Sequence, residues 1–356
     1  MRARLENLSS GFPMKRDFID LSSLSAAELN GLLGLAARLK SELKGGLEHP
    51  YLRGKTLAMI FQKPSLRTRL TFETGMAQLG GHAIYLAPQD IGIGERESVK
   101  DVAHNLSRWV DLIMIRTFKH RMCTELAQEA SVPVINGLTD LLHPCQVLAD
   151  LMTLRELRDD LAKLRVAFIG DGFNLAQTWI EAAEILGFEL RLGCPAGYEP
   201  DKSFVARLRR TKHGMLTHDP AEAVAQADAV YTDSWVSMGQ EKEAARRRRD
   251  FKAFQVNRAL MKNAAKGALV MHCLPAHRGE EITDEVIDGP ESVVLEQAEN
   301  RLHAQKAVML WLLKPEVLSL GASTGELEAN SAFSRARSSH AKPLLGIRSL
   351  KSRNDA

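Results

Sequence analysis

The chain has 356 residues, with 47 Lys and Arg against 44 Asp and Glu, a formal charge of +3, 45% hydrophobic residues and 26% charged residues. That length predicts two domains of roughly 150 residues, each able to bury its own core. The near-balance of charge excludes any whole-protein pull toward nucleic acid or a membrane surface, and the lack of an apolar run of about 18 residues excludes a spanning helix.

In chain order, residues 1–18 carry Arg2, Arg4, Lys15 and Arg16 but no apolar core of a secretory signal, and Glu6 and Asp17 count against an organelle transit peptide. A cytoplasmic protein is the expectation. The cysteines Cys123, Cys145, Cys194 and Cys273 lie far apart in no zinc-type spacing, so reduced thiols and no metal are expected. Ser25-Ala26-Ala27-Glu28 is a capping box, and Leu29, Leu32, Leu33, Ala36 and Leu39 share one face of the helix it opens.

Buried-strand patterns follow at 56–61, 83–87, 111–115 and 132–135, then at 165–170, 189–192, 229–232 and 268–274, with helical stretches between them. Strands alternating with helices predict an α/β protein of two domains, each a mainly parallel sheet with helices on both faces. Ligands of such sheets gather beyond the carboxyl ends of the strands. Residues 143–157 read as one helix with the domain boundary inside it, dividing the chain into 1–150 and 151–316. A last helix is expected at about 298–313, packed back on the first domain. Beyond Pro315 the pattern dissolves, and 317–356 reads as a disordered, solvated tail.

Phe61-Gln62-Lys63-Pro64-Ser65-Leu66-Arg67-Thr68-Arg69 follows a strand and opens a helix. Ser65 is a natural N-cap, and the first N–H groups of such a helix point outward with the positive end of its dipole, which suits an oxyanion. Arg67 adds a planar fork, while Ser65 and Thr68 add hydroxyl donors. A capped helix with solvated arginines is the competing reading. A Walker loop is absent. Gly170-Asp171-Gly172-Phe173-Asn174-Leu175 follows a strand, but Leu175 stands where a dinucleotide fingerprint needs Gly or Ala and no acidic residue closes the next strand. No cofactor is expected.

Further along, Arg116 ends a strand, His143-Pro144-Cys145-Gln146 opens the linking helix, and Asp233-Ser234-Trp235-Val236-Ser237-Met238-Gly239 follows another strand. His272-Cys273-Leu274-Pro275 ends the next strand, and Glu299-Asn300-Arg301 opens the final helix. Taken singly, His143 reads as a helix-start residue, Cys273 and Met238 as core, and Asp233 as a turn cap. In this order, however, the set resembles the aspartate/ornithine carbamoyltransferase family over nearly all of residues 14–316. The Asp-x-x-x-Ser-Met-Gly and His-Cys-Leu-Pro pair is similar to its ornithine branch.

The resemblance implies transfer of a carbamoyl group from carbamoyl phosphate to the δ-amine of L-ornithine, giving L-citrulline and phosphate, in arginine metabolism. It implies a carbamoyl phosphate-binding first domain, an ornithine-binding second domain and a homotrimer or an assembly of trimers. Ser65, Leu66 (through its backbone), Arg67 and Thr68 would hold the phosphate. Arg116 and His143 would bond the carbamoyl oxygen, Gln146 and the Leu274 carbonyl would accept from its NH₂, and Arg301 would stabilise the charged centre. Asn174, Asp233, Ser237 and the Met238 backbone would hold the α-amino and carboxylate groups of ornithine, and Cys273 with Asp233 would orient the attacking amine. The alternatives are a carbamoyltransferase for putrescine or an acylated ornithine, and a non-catalytic carbamoyl phosphate-binding paralogue.

Three positions depart from the family pattern. Leu66 replaces a common Thr, and Phe173 replaces an Asn. Gly92, in the loop from Gln89 to Ser98, replaces a Gln or His that reaches the neighbouring subunit's phosphate. Gly92→Gln is therefore expected to tighten carbamoyl phosphate binding unless Gln89 or Arg96 takes over.

Overall fold

A computed structural model describes residues 15–158, 160–211, 213–237 and 239–318. Met238 and residues 319–356 of the expected tail lie outside them, while Val317 and Leu318, counted in that tail, are helical and pack against the core. The first sheet holds β1 (Thr56–Phe61), β2 (His82–Leu86), β3 (Leu112–Arg116) and β4 (Val134–Leu138) in the order β2-β1-β3-β4. The second holds β5 (Arg165–Ile169), β6 (Glu189–Gly193), β7 (Met215–Thr217), β8 (Ala229–Thr232) and β9 (Leu269–His272) in the order β7-β6-β5-β8-β9. Every pairing is parallel, as the alternation of strand and helix patterns requires.

The strand edges differ from the sequence reading for physical reasons. β4 runs on through Asn136 and Gly137, which break the apolar run. Asn136 is buried because its side-chain amide donates to the Ile19 carbonyl at 2.9 Å, so a polar residue is tolerated there. β7 has only three residues at the sheet edge, too short for an alternation to register. β9 stops at His272, short of the expected end, because Leu274 turns into the left-handed region at φ 57°.

The first helix, Ala26–Lys44, begins with the expected capping box: the Glu28 N–H donates to Ser25 Oγ at 3.2 Å and the Ser25 N–H to the Glu28 carboxylate at 2.9 Å. Leu29, Leu32, Leu33, Ala36 and Leu39 are all buried on its inner face. The linking helix, Pro144–Leu157, is buried on every side from Pro144 to Leu154, which is how a helix apolar all round must sit.

The final helix corrects the sequence reading. It starts at Val294, a turn earlier than expected, so Arg301 projects from its interior instead of opening it. It packs against the first helix, the linking helix and the Leu66–Gln78 helix. One apolar cluster continues from Phe18 and Leu29 through Leu148 and Trp311 to Trp179 and Phe168, so both sheets lean on a shared core. Among the described residues no helix is long and apolar enough to cross a membrane.

Candidate active site

The anion-binding end starts at the Leu66–Gln78 helix. Ser65 is its N-cap, with extended backbone, and its Oγ accepts from the Thr68 N–H at 3.3 Å. The same Oγ lies 3.1 Å from Thr68 Oγ1. β1 and β3 are neighbours with Phe61 opposite Arg116, so Arg116 emerges beside this helix start. Its Nη1 donates to Thr68 Oγ1 at 3.3 Å, and Arg301, from the final helix, donates to the same atom at 3.4 Å. Arg116 and Arg301 are only 6% and 3% exposed. Burial pulls both guanidiniums below their usual range, Arg116 to about 10; the Arg301 and Arg67 charges add to this at Arg116, and the Arg67 charge adds to it at Arg301. Two desolvated cations converging on one hydroxyl make a place where an anion is strongly favoured. Arg67 stands half-buried at the helix start, and Leu66 turns its side chain to solvent.

The next group is the start of the linking helix. The His143 N–H donates to Thr178 Oγ1 at 2.8 Å, while its ring is buried with Nδ1 unpartnered. Burial first, then Arg301 and Arg116, drives the imidazole well below its ordinary range. His143 is therefore neutral, and it can donate one hydrogen bond without adding a charge. Gln146 accepts from Arg301 and donates to the buried Asp150 at 2.9 Å.

Across from this cluster lie the ends of β8 and β9, paired with Thr232 opposite His272. The next residue on each strand is Asp233 and Cys273, and the thiol donates to Asp233 Oδ1 at 2.9 Å. Burial and the Asp233 charge raise the thiol well above its ordinary range. The Leu274 N–H donates to His272 Nδ1 at 2.8 Å, so the ring proton sits on Nε2, which faces Glu281 at 3.1 Å. Asp233, His272 and Cys273 bring ligand-type atoms within 4.8 Å of one another. Both His272 nitrogens are committed and the thiol stays protonated, so this donor set does not suit a metal ion.

Asn174 opens its helix and donates to the Thr139 carbonyl at 2.6 Å. The Ser237 N–H donates to Gln240 at 3.0 Å. Gly92 stands apart in the first domain's loop. At φ 54° it caps a short turn, a side chain there would put its Cβ 2.9 Å from Arg96 Cβ, and Arg96 bonds the Asp90 carbonyl at 3.1 Å. Gly92 thus suits its left-handed backbone conformation, and a side chain placed there would be strained.

Sequence reasoning missed two buried groups. Arg247 lies in Arg246-Arg247-Arg248-Arg249, a run that reads as a solvated face, yet it is 6% exposed. Its Nη1 donates to Asp171 at 2.7 Å and to the Trp235 carbonyl at 3.0 Å, and its guanidinium lies 5.0 Å from the Tyr198 ring centroid. It ties the turn that carries Asn174 to the loop that carries Asp233 and Ser237. Asp150 was the other, and its only signal was the four-residue spacing from Gln146, which puts both on one helix face.

The fold and this cleft define a two-domain α/β enzyme whose site pairs a buried cationic pocket with a carboxylate and thiol across from it. Residues 16–156 match the carbamoyl-phosphate-binding domain, and residues 162–312 the Asp/Orn-binding domain, of aspartate/ornithine carbamoyltransferases. The chain is 51% identical over 298 residues to the ornithine carbamoyltransferase of Syntrophus aciditrophicus, covering 83% of this chain and 99% of that one. It is 50% identical over 303 residues to that of Geobacter sulfurreducens, covering 85% and 100%. Among solved structures, the ornithine carbamoyltransferase from Pyrococcus furiosus superposes with a TM-score of 0.81 at 49% identity, over 85% of this chain and 97% of that one. The chain belongs to the aspartate/ornithine carbamoyltransferase family.

Proposed function

We propose that the protein transfers the carbamoyl group of carbamoyl phosphate to the δ-amine of L-ornithine, giving L-citrulline and phosphate. The observation that carries this reading is the convergence of Arg116, Arg301 and neutral His143 opposite the Cys273–Asp233 pair. The cationic cluster suits a phosphate ester and a developing oxyanion. The carboxylate and thiol suit a cationic amino acid. Residues 1–150 form the carbamoyl phosphate side and residues 151–316 the ornithine side.

In this reading Ser65, the Leu66 N–H, Arg67 and Thr68 hold the phosphate, and the helix dipole adds to the attraction. Arg116 and His143 donate to the carbamoyl oxygen, Gln146 and the Leu274 carbonyl accept from its NH₂, and Arg301 balances the charge between them. Asn174, Asp233, Ser237 and the Met238 backbone hold the amino-acid end of ornithine. Cys273 and Asp233 aim the δ-amine.

The amine lone pair forms the new C–N bond, the carbonyl oxygen gains charge against Arg116 and His143, and the C–O bond to phosphate then breaks. The amine proton leaves on a phosphate oxygen, so no protein base is required. Holding amine and carbonyl at attack distance supplies much of the rest, up to about 7–11 kcal/mol at ideal geometry.

The protein acts as a homotrimer in the cytoplasm. Its four cysteines are free, which fits a reducing compartment. Citrulline formation by purified protein with carbamoyl phosphate and a panel of ornithine, putrescine, N-acetylornithine and aspartate tests the substrate. Turnover of ornithine well above the others is expected, and faster turnover of another amine overturns the assignment. Light scattering should give the mass of three 39.4 kDa chains, and a monomer removes the trimer.

A further inference from the structure

Asp150 is fully buried and lies one turn beyond Gln146 on the linking helix. Its Oδ1 accepts from two glutamine amides: Gln146 Nε2 at 2.9 Å and Gln297 Nε2 at 2.8 Å. The opposite end of each glutamine faces a pure donor. Gln146 Oε1 accepts from Arg301, and Gln297 Oε1 accepts from the His272 backbone N–H at 3.0 Å. The Tyr231 hydroxyl is also buried, and its charge environment includes the Asp150 carboxyl, but neither it nor Asp150 Oδ2 makes a hydrogen bond among the described residues.

A glutamine amide is nearly symmetric in shape but opposite in polarity at its two ends. Turning either one over would set an amide oxygen against the Asp150 carboxylate and an NH₂ against a donor. Both losses would fall in a buried place, where unmet polar groups cost most. The Asp150 carboxylate therefore selects one orientation of both glutamines at once.

We propose that Asp150 is the positioning residue that makes the site present a carbonyl oxygen, not an NH₂, to the transferable group, and that it thereby sets the preference for a carbamoyl over an acyl phosphate. The proposal rests on the assignment of carbamoyl phosphate as substrate. Gln146 Oε1 is held by Arg301 in the structure. When Arg301 is drawn to the incoming anion, Asp150 remains to stop the freed amide from turning. An oxygen at that point rewards the carbamoyl NH₂, whereas acetyl phosphate offers only a methyl group there and leaves the acceptor unpaired. Gln297 carries the same control to the His272–Leu274 turn, whose carbonyl is the second acceptor for that NH₂.

The test compares carbamoyl phosphate with acetyl phosphate in direct binding to the full chain and to Asp150→Leu and Asp150→Asn. Leu matches the volume but accepts nothing, so the preference for carbamoyl phosphate should shrink about tenfold while inorganic phosphate binds as before. Asn keeps an oxygen at the Oδ1 position and should restore most of the preference. A folded Asp150→Leu protein with an unchanged preference overturns the proposal. Should that variant fail to fold, neutron diffraction from the unaltered protein decides. Deuterons on the Gln146 and Gln297 atoms facing Asp150 support it, and deuterons on the atom of Gln146 facing Arg301 overturn it. The neutron result is independent of turnover, so absence of citrulline formation would sink the substrate assignment alone.

Discussion

The Cys273 thiol donates to Asp233 Oδ1 across 2.9 Å, joining the ends of two neighbouring parallel strands. Burial and the adjacent carboxylate hold the thiol in its protonated form. In the proposed reaction it would act as a donor that aligns Asp233, not as a nucleophile. Cys273→Ala should raise the ornithine KM about tenfold, by loss of one hydrogen bond to a charged group, and leave the carbamoyl phosphate KM within about twofold. Iodoacetamide should label Cys273 very slowly at pH 8 in the intact fold. Equal effects on both KM values would return Cys273 to the core.

Arg67 stands at the start of the Leu66–Gln78 helix, and its charge is felt by both Arg116 and Arg301. Arg67→Ala should weaken carbamoyl phosphate binding about ten- to a hundredfold and weaken inhibition by inorganic phosphate in parallel. Steady-state kinetics read both. Unchanged phosphate inhibition would move the leaving-group site elsewhere.

Gly92 adopts φ 54°, with Arg96 Cβ only 2.9 Å from where its own Cβ would be. A left-handed backbone costs an ordinary residue roughly 1–2 kcal/mol, and the contact with Arg96 adds to it. Gly92→Gln should therefore lower the melting temperature by a few degrees, on the order expected for that cost, without tightening carbamoyl phosphate binding. Tighter binding at unchanged stability would mean that the loop re-forms around the new side chain.

Arg247 joins Asp171 to the Trp235 carbonyl. It rests on a small separate cluster of Tyr198, Trp235 and Phe251, so the loop after β8 has its own mounting. Arg247→Met keeps the stem and removes the bonds. It should raise the ornithine KM about tenfold or more with little change for carbamoyl phosphate. Asp171→Asn should add little on top of it, because the two mutations break one contact. Independent, additive effects in that double-mutant cycle would separate the two residues.

His303 is buried with Nδ1 unpartnered, and burial together with Lys306 depresses it from 6.5 to about 3. The unfolded chain takes up a proton below pH 6.5 that the folded chain refuses. Folding stability from this group is intact above pH 6.5 and falls as the pH drops toward 3, by about 1.4 kcal/mol per pH unit. His303→Leu should flatten the difference between urea denaturation at pH 7 and at pH 5. An equally steep loss in the variant would place the acid sensitivity in other groups.

Local spacing alone determined much of this protein. Ser25 and Glu28 announce a helix start, alternating strand and helix patterns require parallel sheets, and Ser65 before Leu66-Arg67-Thr68 marks a capped helix behind a strand. Each signal lies within a few residues, where backbone geometry leaves little choice. The end of β8 was equally legible, but β9 was read two residues too far, and Asp233 and Cys273, which singly read as a turn cap and core, stood out only through the family resemblance. Tertiary structure alone decided the rest. Arg301 reaches Gln146 across 155 positions and Gln297 reaches Asp150 across 147, and no local pattern encodes such pairs. Arg247 looks like its three arginine neighbours until packing buries it beside Asp171. Gly92 reads as a missing side chain until its backbone angle shows why none fits. Burial decides whether a polar residue is solvated or committed to a partner, and burial is set by which distant elements pack together.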